Sequence, residues 1–448
     1  MISAVNGYRQ KLNSPMKKIA LLLAFACTSV YGFAQDVNTL ISKDDVYRII
    51  KTLSADDMQG RGTFTPGIEK AAEFIEGEYK QIGLEPMKGD DGYRQNFTMF
   101  RSKALKLAVS INDQPIAPEN ICASGAGASF NWTNSSDVQV EILSSDKNFR
   151  TAYRGYLSSH KKQLVLIDPS FADIFKRIRN SVSAGKVSFK PDTTGSPIVF
   201  VLGKFGEVKS FRADCIAETK ELPLFNIVGV IPGKTKPNEC VVFSGHYDHL
   251  GILPPVKGDS IANGADDDAS GTTAVITLAK YYKKLNNNAR TLIFVAFTAE
   301  ELGEHGSQHF AQTVDPDKVM AMFNIEMIGK PSKFGENSAF ITGFDRSTFG
   351  TILQKNLTNT PFKFYPDPYP AQNLFYRSDN ASLAEVGVPA HTISTDQIDT
   401  DTLYHTVGDE LSTLDIDNIV ATIRAIALSS RTIVSGQDTP TRVPKADQ

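Results

Sequence analysis

Cysteine is scarce in this sequence: four residues in 448, with no Cys-x-x-Cys pair anywhere. That excludes a disulfide-stapled scaffold and a cysteine-rich metal knuckle. HExxH is also missing. His305 and His309 are four apart, but Gly306 stands where the helical zinc-protease motif needs Glu. Neither GxSxG nor a Walker loop occurs, which removes the common serine-hydrolase and P-loop chemistries. Charge of one sign is lacking too. The net charge is −3, with both signs mixed along the chain, so no nucleic-acid partner or anionic membrane surface is implied. No internal repeat is present. The apolar run Ile19 to Val30 is too short to span a bilayer comfortably, and no later one is longer.

That run reads instead as an export signal. Met16-Lys17-Lys18 precedes it, and Gly32-Phe33-Ala34 has the small-x-small form of a cleavage site. Cleavage is expected after Ala34, with residues 1–15 an upstream extension, so 1–34 would be absent from a periplasmic or extracellular mature protein. A lipid-attachment role for Cys27 is disfavoured by Phe25. Cys122, Cys215 and Cys240 would remain, and a disulfide between two of them stays open.

The length exceeds one ordinary core, so an insertion or a second domain is expected. Residues 35–100 read as the N-terminal part of a catalytic domain. Its segment "TPGIEKAAEFIEGEYKQIGLEP" has apolar residues at helical spacing, opening at Thr65-Pro66 and closing at Gly83. Residues 101–222 carry short β-like pieces between polar loops and few catalytic residue types, and read as an inserted β-rich module. Over 223–435, "LFNIVGVIPG", "CVVFSGHYD", "RTLIFVAFTAEE" and "MAMFNIEMIG" are near-continuous apolar runs, the pattern of strands covered on both faces. The fold class expected is α/β: a three-layer αβα sandwich around a mixed, mostly parallel sheet, with the β-rich module inserted. Residues 436–448 read as a flexible tail.

Polar groups cluster where these runs end, at the sheet edge where α/β proteins bind ligands. His246 and Asp248 close "CVVFSGHYD". Asp266, Asp267 and Asp268 precede a helix opening at Ser270. Glu300-Glu301 close another run, Glu326 sits between Ile325 and Met327, and His405 lies in "LYHTVGDE". An unpaired Glu among apolar residues is costly. Several carboxylates and two imidazoles gathered without a cation would repel one another. Zinc suits mixed His and carboxylate sites, and five ligands with one bridging carboxylate suffice for two ions.

In order and spacing, "GHYDHLG", "GADDDASG", "AEELGEHGS", "NIEMIG" and "YHTVGDE" resemble the co-catalytic di-zinc aminopeptidases, peptidase family M28. The segments "GRGTFTPGIEKAAEFIEGEYKQIGLEP" and "FYRSDNASLAEVGVPAHT" look like other parts of that family. The resemblance covers about 50–100 and 224–430 and leaves the insertion out. It implies two Zn2+ ions: His246 and Glu326 on one, Glu301 and His405 on the other, and Asp267 bridging. Glu300 would be the general base and Asp248 would orient His246. One departure is Glu326, where many members have Asp. The implied reaction is removal of N-terminal residues from peptides with a free amino terminus, with no membrane contact after leader cleavage. Three rivals share these residues: a di-zinc carboxypeptidase or dipeptidase, a single-zinc glutaminyl cyclase, and a non-catalytic binding protein.

Other residues get plainer readings. Asp266 and Asp268 are expected to cap the helix at Ser270. His249 is read as a supporting or pocket group, and Asp379 and Ser378 as active-site wall. His391 is either pocket lining or structural. His160, His305 and His309 are read as surface or packing residues, and Arg61 as a surface salt bridge in preference to a bridge from the N-terminal region to the site.

Overall fold

The protein is described by a computed structural model over residues 37–191 and 196–446. The leader expected over 1–34 and its cleavage point lie outside the described residues. The chain forms two compact units, one of residues up to Gln95 and from Asn226 onward, the other of Asn96–Phe225.

The first unit is built on strands β1 (Phe211–Ile231, of which 227–231 lie in this unit's sheet), β2 (Lys236–His246), β3 (Arg290–Phe297), β4 (Val319–Ile325), β5 (Ser338–Ile341), β6 (Lys363–Pro366) and β7 (Ala390–Ser394). Their order is β6-β5-β7-β4-β2-β3-β1. The pairings β2–β3, β2–β4, β4–β7 and β5–β6 are parallel, while β1–β3 and β5–β7 are antiparallel. Its helices are α1 (Lys43–Leu53), α2 (Pro66–Ile82), α3 (Gly271–Leu285), α4 (His305–Thr313), α5 (Phe349–Asn356), α6 (Asn380–Ala384) and α7 (Ile416–Ser429). Helix α2 starts on Pro66 after an extended Thr65 and ends on Gly83 at φ 80°, a left-handed closure that glycine adopts without a Cβ clash.

Alternation along the central strands explains why helices cover both faces. Phe243 stacks on its cross-strand partners Phe294 and Phe323, with ring centroids 5.4 and 4.9 Å apart, and meets Tyr282 of α3 at 5.4 Å. Val242, one residue earlier, points the other way into a cluster with Phe297 and with Phe310 of α4. Each face therefore needs an apolar cover, and the result is a mixed, mostly parallel sheet between two helical layers. The segment expected to be a flexible tail is instead fastened over 436–446. Val443 is buried in that second cluster, Arg442 Nη1 donates to the carbonyls of Pro316 and Val319, and Ala446 N donates to Glu385 O. Apolar Val443 and a carbonyl-seeking Arg442 are enough to hold it.

The second unit has a four-stranded sheet in the order Ile121–Ser124, Ile198–Leu202, Gln163–Ile167, Gln139–Leu143. Helices Phe149–Ser158 and Ala172–Ser183 contribute Phe149 and Phe175 to a core with Val165, Ile167 and Phe200. Cys122, Cys215 and Cys240 are unpaired thiols, so the disulfide left open by the sequence does not form among them. Among the described residues no helix is long and apolar enough to cross a membrane.

Candidate metal centre

Four neighbouring parallel strands, β3, β2, β4 and β7, finish on one edge of the first unit's sheet, so the residues at their ends converge. His246 is the last residue of β2. Glu326 follows β4 directly, and Glu300-Glu301 follow β3 by a short turn. Asp267 lies in the turn before α3, and its peptide bond to Asp268 is cis.

Hydrogen bonds hold these segments in place. The Asp268 carboxylate accepts from His246 N at 3.1 Å, Gly271 N at 3.0 Å and Met327 N at 3.1 Å, so it joins the ends of β2, α3 and β4. A Cβ on Gly271 would lie 2.0 Å from Ile325 O, so only glycine permits that approach. Asp409 accepts from the backbone N–H of Asp266 and Asp267 at 3.0 to 3.1 Å. Asp266 accepts from Gly329 N at 2.7 Å. The Asp residues expected to be simple caps are thus fully buried ties between elements, with Gly271 N the only capping contact of Asp268.

Arg61 is the largest correction. Read as a surface salt bridge, it is 1% exposed, and its guanidinium donates to five main-chain carbonyls: Tyr247, Leu53, Asn263, Gly264 and Asp267. All its bonding capacity is used, four of the five bonds on the segments that carry His246 and Asp267.

Around this frame the expected ligands come together. His246 Nε2 lies 3.1 Å from Asp267 Oδ1. His405 Nε2 lies 3.2 Å from Asp267 Oδ2 and 3.3 Å from Glu301 Oε2. Glu326 closes the first group, its carboxylate within 4.8 Å of donor atoms of His246 and Asp267. These spacings match the edge of a tetrahedral zinc shell, about 3.3 Å for bonds of about 2.0–2.1 Å. The angles do not suit mutual hydrogen bonds: His246 Nε2, Glu301 Oε1 and Glu326 Oε2 are buried and lack a bonding partner. Buried polar atoms this close together without partners fit a cation better than any protein group.

The charges agree. Burial opposes protonation of His246, but Glu300, Asp267 and Asp268 outweigh it and hold its affinity for a proton well above the ordinary. Burial likewise opposes charge on His405, while Asp267 and Glu301 raise it to about 10. Burial lifts Glu300 well above the usual carboxylate range, with Glu326, Asp379 and Glu301 adding to it and His246 opposing. Glu326 is raised to about 7 by burial, Asp267 and Glu301, against His246. The pocket holds surplus negative charge and collects protons that a metal ion would displace.

His249 enters the cluster more closely than its reading as a supporting group implied. Its Nδ1 is 2.8 Å from Glu301 Oε1 and 3.7 Å from Asp267 Oδ2. The sequence signal for it was position alone, three residues past His246. Asp248 is also corrected in one respect. His246 Nδ1 meets the main-chain carbonyl of Asp248 at 3.0 Å, whereas its carboxylate, 3.9 Å away, accepts from Glu300 N and Thr63 Oγ1. Asp379 is fully buried and contributes to the field on Glu300, and Ser378 accepts from Asn324. His391 is structural: both ring nitrogens are bonded, to Thr342 O and Ser347 Oγ, and Phe349 stacks on it.

Residues 226–429 match the description "Peptidase family M28". Leucine aminopeptidase 1 of Ajellomyces capsulatus is 30% identical over 210 residues, which are 44% of this chain and 52% of that protein. The chain spans about half the length of the curated relatives it matches. Among solved structures, the aminopeptidase from Aneurinibacillus sp. strain AM-1 superposes with a TM-score of 0.55 at 19% identity, covering 92% of this chain and 98% of that one. A zinc aminopeptidase from Bacillus subtilis gives 0.52 at 16% identity, covering 91% and 99%. These two likenesses concern the fold. Five sequence motifs converge on one sheet edge, and the stretch that carries them, residues 226–429, matches peptidase family M28.

Proposed function

We propose that this protein is an exported zinc aminopeptidase that removes N-terminal residues from peptides, using two zinc ions and Glu300 as general base. The observation that carries the reading is Asp267, which turns one carboxylate oxygen toward His246 and the other toward His405. His246, Asp267 and Glu326 would hold one ion, and Asp267, Glu301 and His405 the other. Bound zinc supplies Lewis-acid polarisation of a peptide carbonyl and acidifies water at neutral pH.

The remaining work falls to side chains of this chain. Glu300 is adjacent to a ligand yet outside both ligand sets, and its backbone N–H is fixed by Asp248. It would take a proton from water and return it to the departing amine. Glu300 and Asp379, buried carboxyl groups outside both ligand sets, would favour a substrate's cationic amino terminus and so a cut at the first residue. The relatives known as leucine aminopeptidases support that choice. Export is supported by the basic, apolar and small-x-small pattern over residues 16–34.

The test is Glu300→Gln. It should keep two zinc ions by elemental analysis and lose about 100-fold or more in turnover of amino-acid p-nitroanilides. N-blocked peptides should resist the wild type. Near-normal rates in Glu300→Gln would remove it from the mechanism, and preferential cleavage of blocked peptides at the carboxyl end would replace the aminopeptidase reading. N-terminal sequencing of protein recovered outside the cytoplasm should begin at Gln35. A retained leader would count against export.

A further inference from the structure

One strand beyond Glu326, β7 runs out at Ser394 and the chain continues to Asp396. Thr395 N donates to Met327 O at 3.1 Å, which holds Asp396 beside the carboxyl end of β4. Asp396 is 3% exposed, and neither of its carboxylate oxygens has a hydrogen-bond donor. It nevertheless lines the same cavity as Glu326 and Tyr404, whose other walls include apolar Phe340, Leu374 and Ile398.

The charges packed around Asp396 are Asp266, Asp401 and Lys330. The Lys330 ammonium is spent on Asp401, at 2.5 Å, and Asp266, at 3.4 Å. Asp401 is another acceptor, and the two carboxyl groups meet only through a proton carried by Asp396. Three carboxyl groups share one ammonium, and burial with Asp266 and Asp401 raises Asp396 to about 8, so at neutral pH it holds a proton that an entering cation would displace. Arg377 also borders the cavity, but it is exposed and donates to Gln372. A buried carboxylate without a donor at the wall of an apolar slot lacks one thing, a cation on a flexible apolar stem.

We propose that Asp396 sets substrate choice: the cavity beside Glu326 receives the side chain of the first residue, and Asp396 pairs with its charge, so peptides beginning with lysine or arginine are preferred. This rests on the aminopeptidase reading of the metal centre. Phe340, Leu374 and Ile398 would pack the methylenes, and the charge would pair where water is largely excluded.

The experiment compares lysyl, arginyl, leucyl and glutamyl p-nitroanilides on zinc-loaded wild type, Asp396→Asn and Asp396→Glu. Wild type should favour the lysyl and arginyl substrates. Asp396→Asn should lower kcat/KM for both by about thirty-fold, the loss expected when one partner of a desolvated ion pair is removed. Leucyl turnover should change little and so reports that the variant is folded. Asp396→Glu should retain part of the basic preference. A wild type that favours leucyl or glutamyl substrates overturns the proposal, even where a variant fails to fold. Asp266, Asp396 and Asp401 are also close enough to share a metal ion. A further zinc equivalent lost in Asp396→Asn, with unchanged substrate preference, would overturn it as well. Failure of every substrate on the wild type would instead sink the aminopeptidase reading itself.

Discussion

Replacing Arg61 by Met keeps most of the side chain's length and removes its charge and every donor. Five carbonyls then lose a hydrogen bond. Bonds from a charged donor contribute about 1.5–3 kcal/mol each, a gross sum on the order of 10 kcal/mol. Desolvating the guanidinium takes back several kcal/mol. Gly264 O is less affected than the others, because Ala269 N still donates to it. The net loss expected is about 3–5 kcal/mol, the range for breaking a buried charged network. Against a total stability of about 5–15 kcal/mol, the variant should fold but unfold at much lower urea. Since three of the five carbonyls belong to residues 263–267, the chain bearing Asp267 loosens too, and zinc affinity should fall about 10- to 100-fold. Urea unfolding of chelator-treated protein measures the first effect, and competition with a zinc dye the second. Arg61→Lys should be intermediate, since one ammonium cannot reach five acceptors. A change below about 1 kcal/mol in Arg61→Met would refute the claim that this guanidinium organises the site.

Stability without metal should depend on pH with a definite sign. Asp266 and Glu326 are raised to about 7, Asp396 to about 8 and His405 to about 10, so the folded chain binds more protons than the unfolded one. Stability from that source is present at low pH and lost as pH rises through those values. Asp267 and Glu301 are lowered and work the other way, but their contribution is complete above the ordinary carboxylate range. Chelated protein should therefore melt at lower temperature at pH 8 than at pH 6, and zinc should restore more of it at pH 8. A higher melting point for the chelated form at pH 8 would contradict this. Gly271→Ala should cost about 1–3 kcal/mol or more, because its Cβ would collide with Ile325 O 2.0 Å away. It should also weaken zinc binding, since Ile325 precedes Glu326. Thermal melts and metal titration check both, and a silent substitution would count against the packing described.

Much of the site was legible because its residues break a local rule. Glu326 between Ile325 and Met327, and His246 after an unbroken apolar run, had to be satisfied by something outside their own segments. The α2 boundaries were legible for a similar reason, since Thr65-Pro66 and Gly83 act on their own backbone. Arg61 was not, because a buried arginine and a surface one are the same letter until the carbonyls it collects are in place. Its flanks did carry a signal: a Cβ on Gly60 would lie 2.4 Å from Ala262 O, so Gly60-Arg61-Gly62 is a close backbone approach. Asp248 was placed correctly in the chain, but its carboxylate serves Glu300 and Thr63. Which atom of a residue bonds is decided by tertiary geometry. The fastening of 436–446 depends on carbonyls more than a hundred residues away, as with Arg442 and Pro316, and no local pattern encodes such a contact.

Asp409 clamps the amides of Asp266 and Asp267 from a position 142 to 143 residues further along the chain. During synthesis, this clamp on the segment whose carboxylate both ions would share is missing until Asp409 has emerged. His405 arrives only four residues earlier. A chain cut short just before that point keeps β1 to β7 yet lacks both His405 and the Asp409 clamp, so the candidate metal centre is complete only once residues 405–409 have been made.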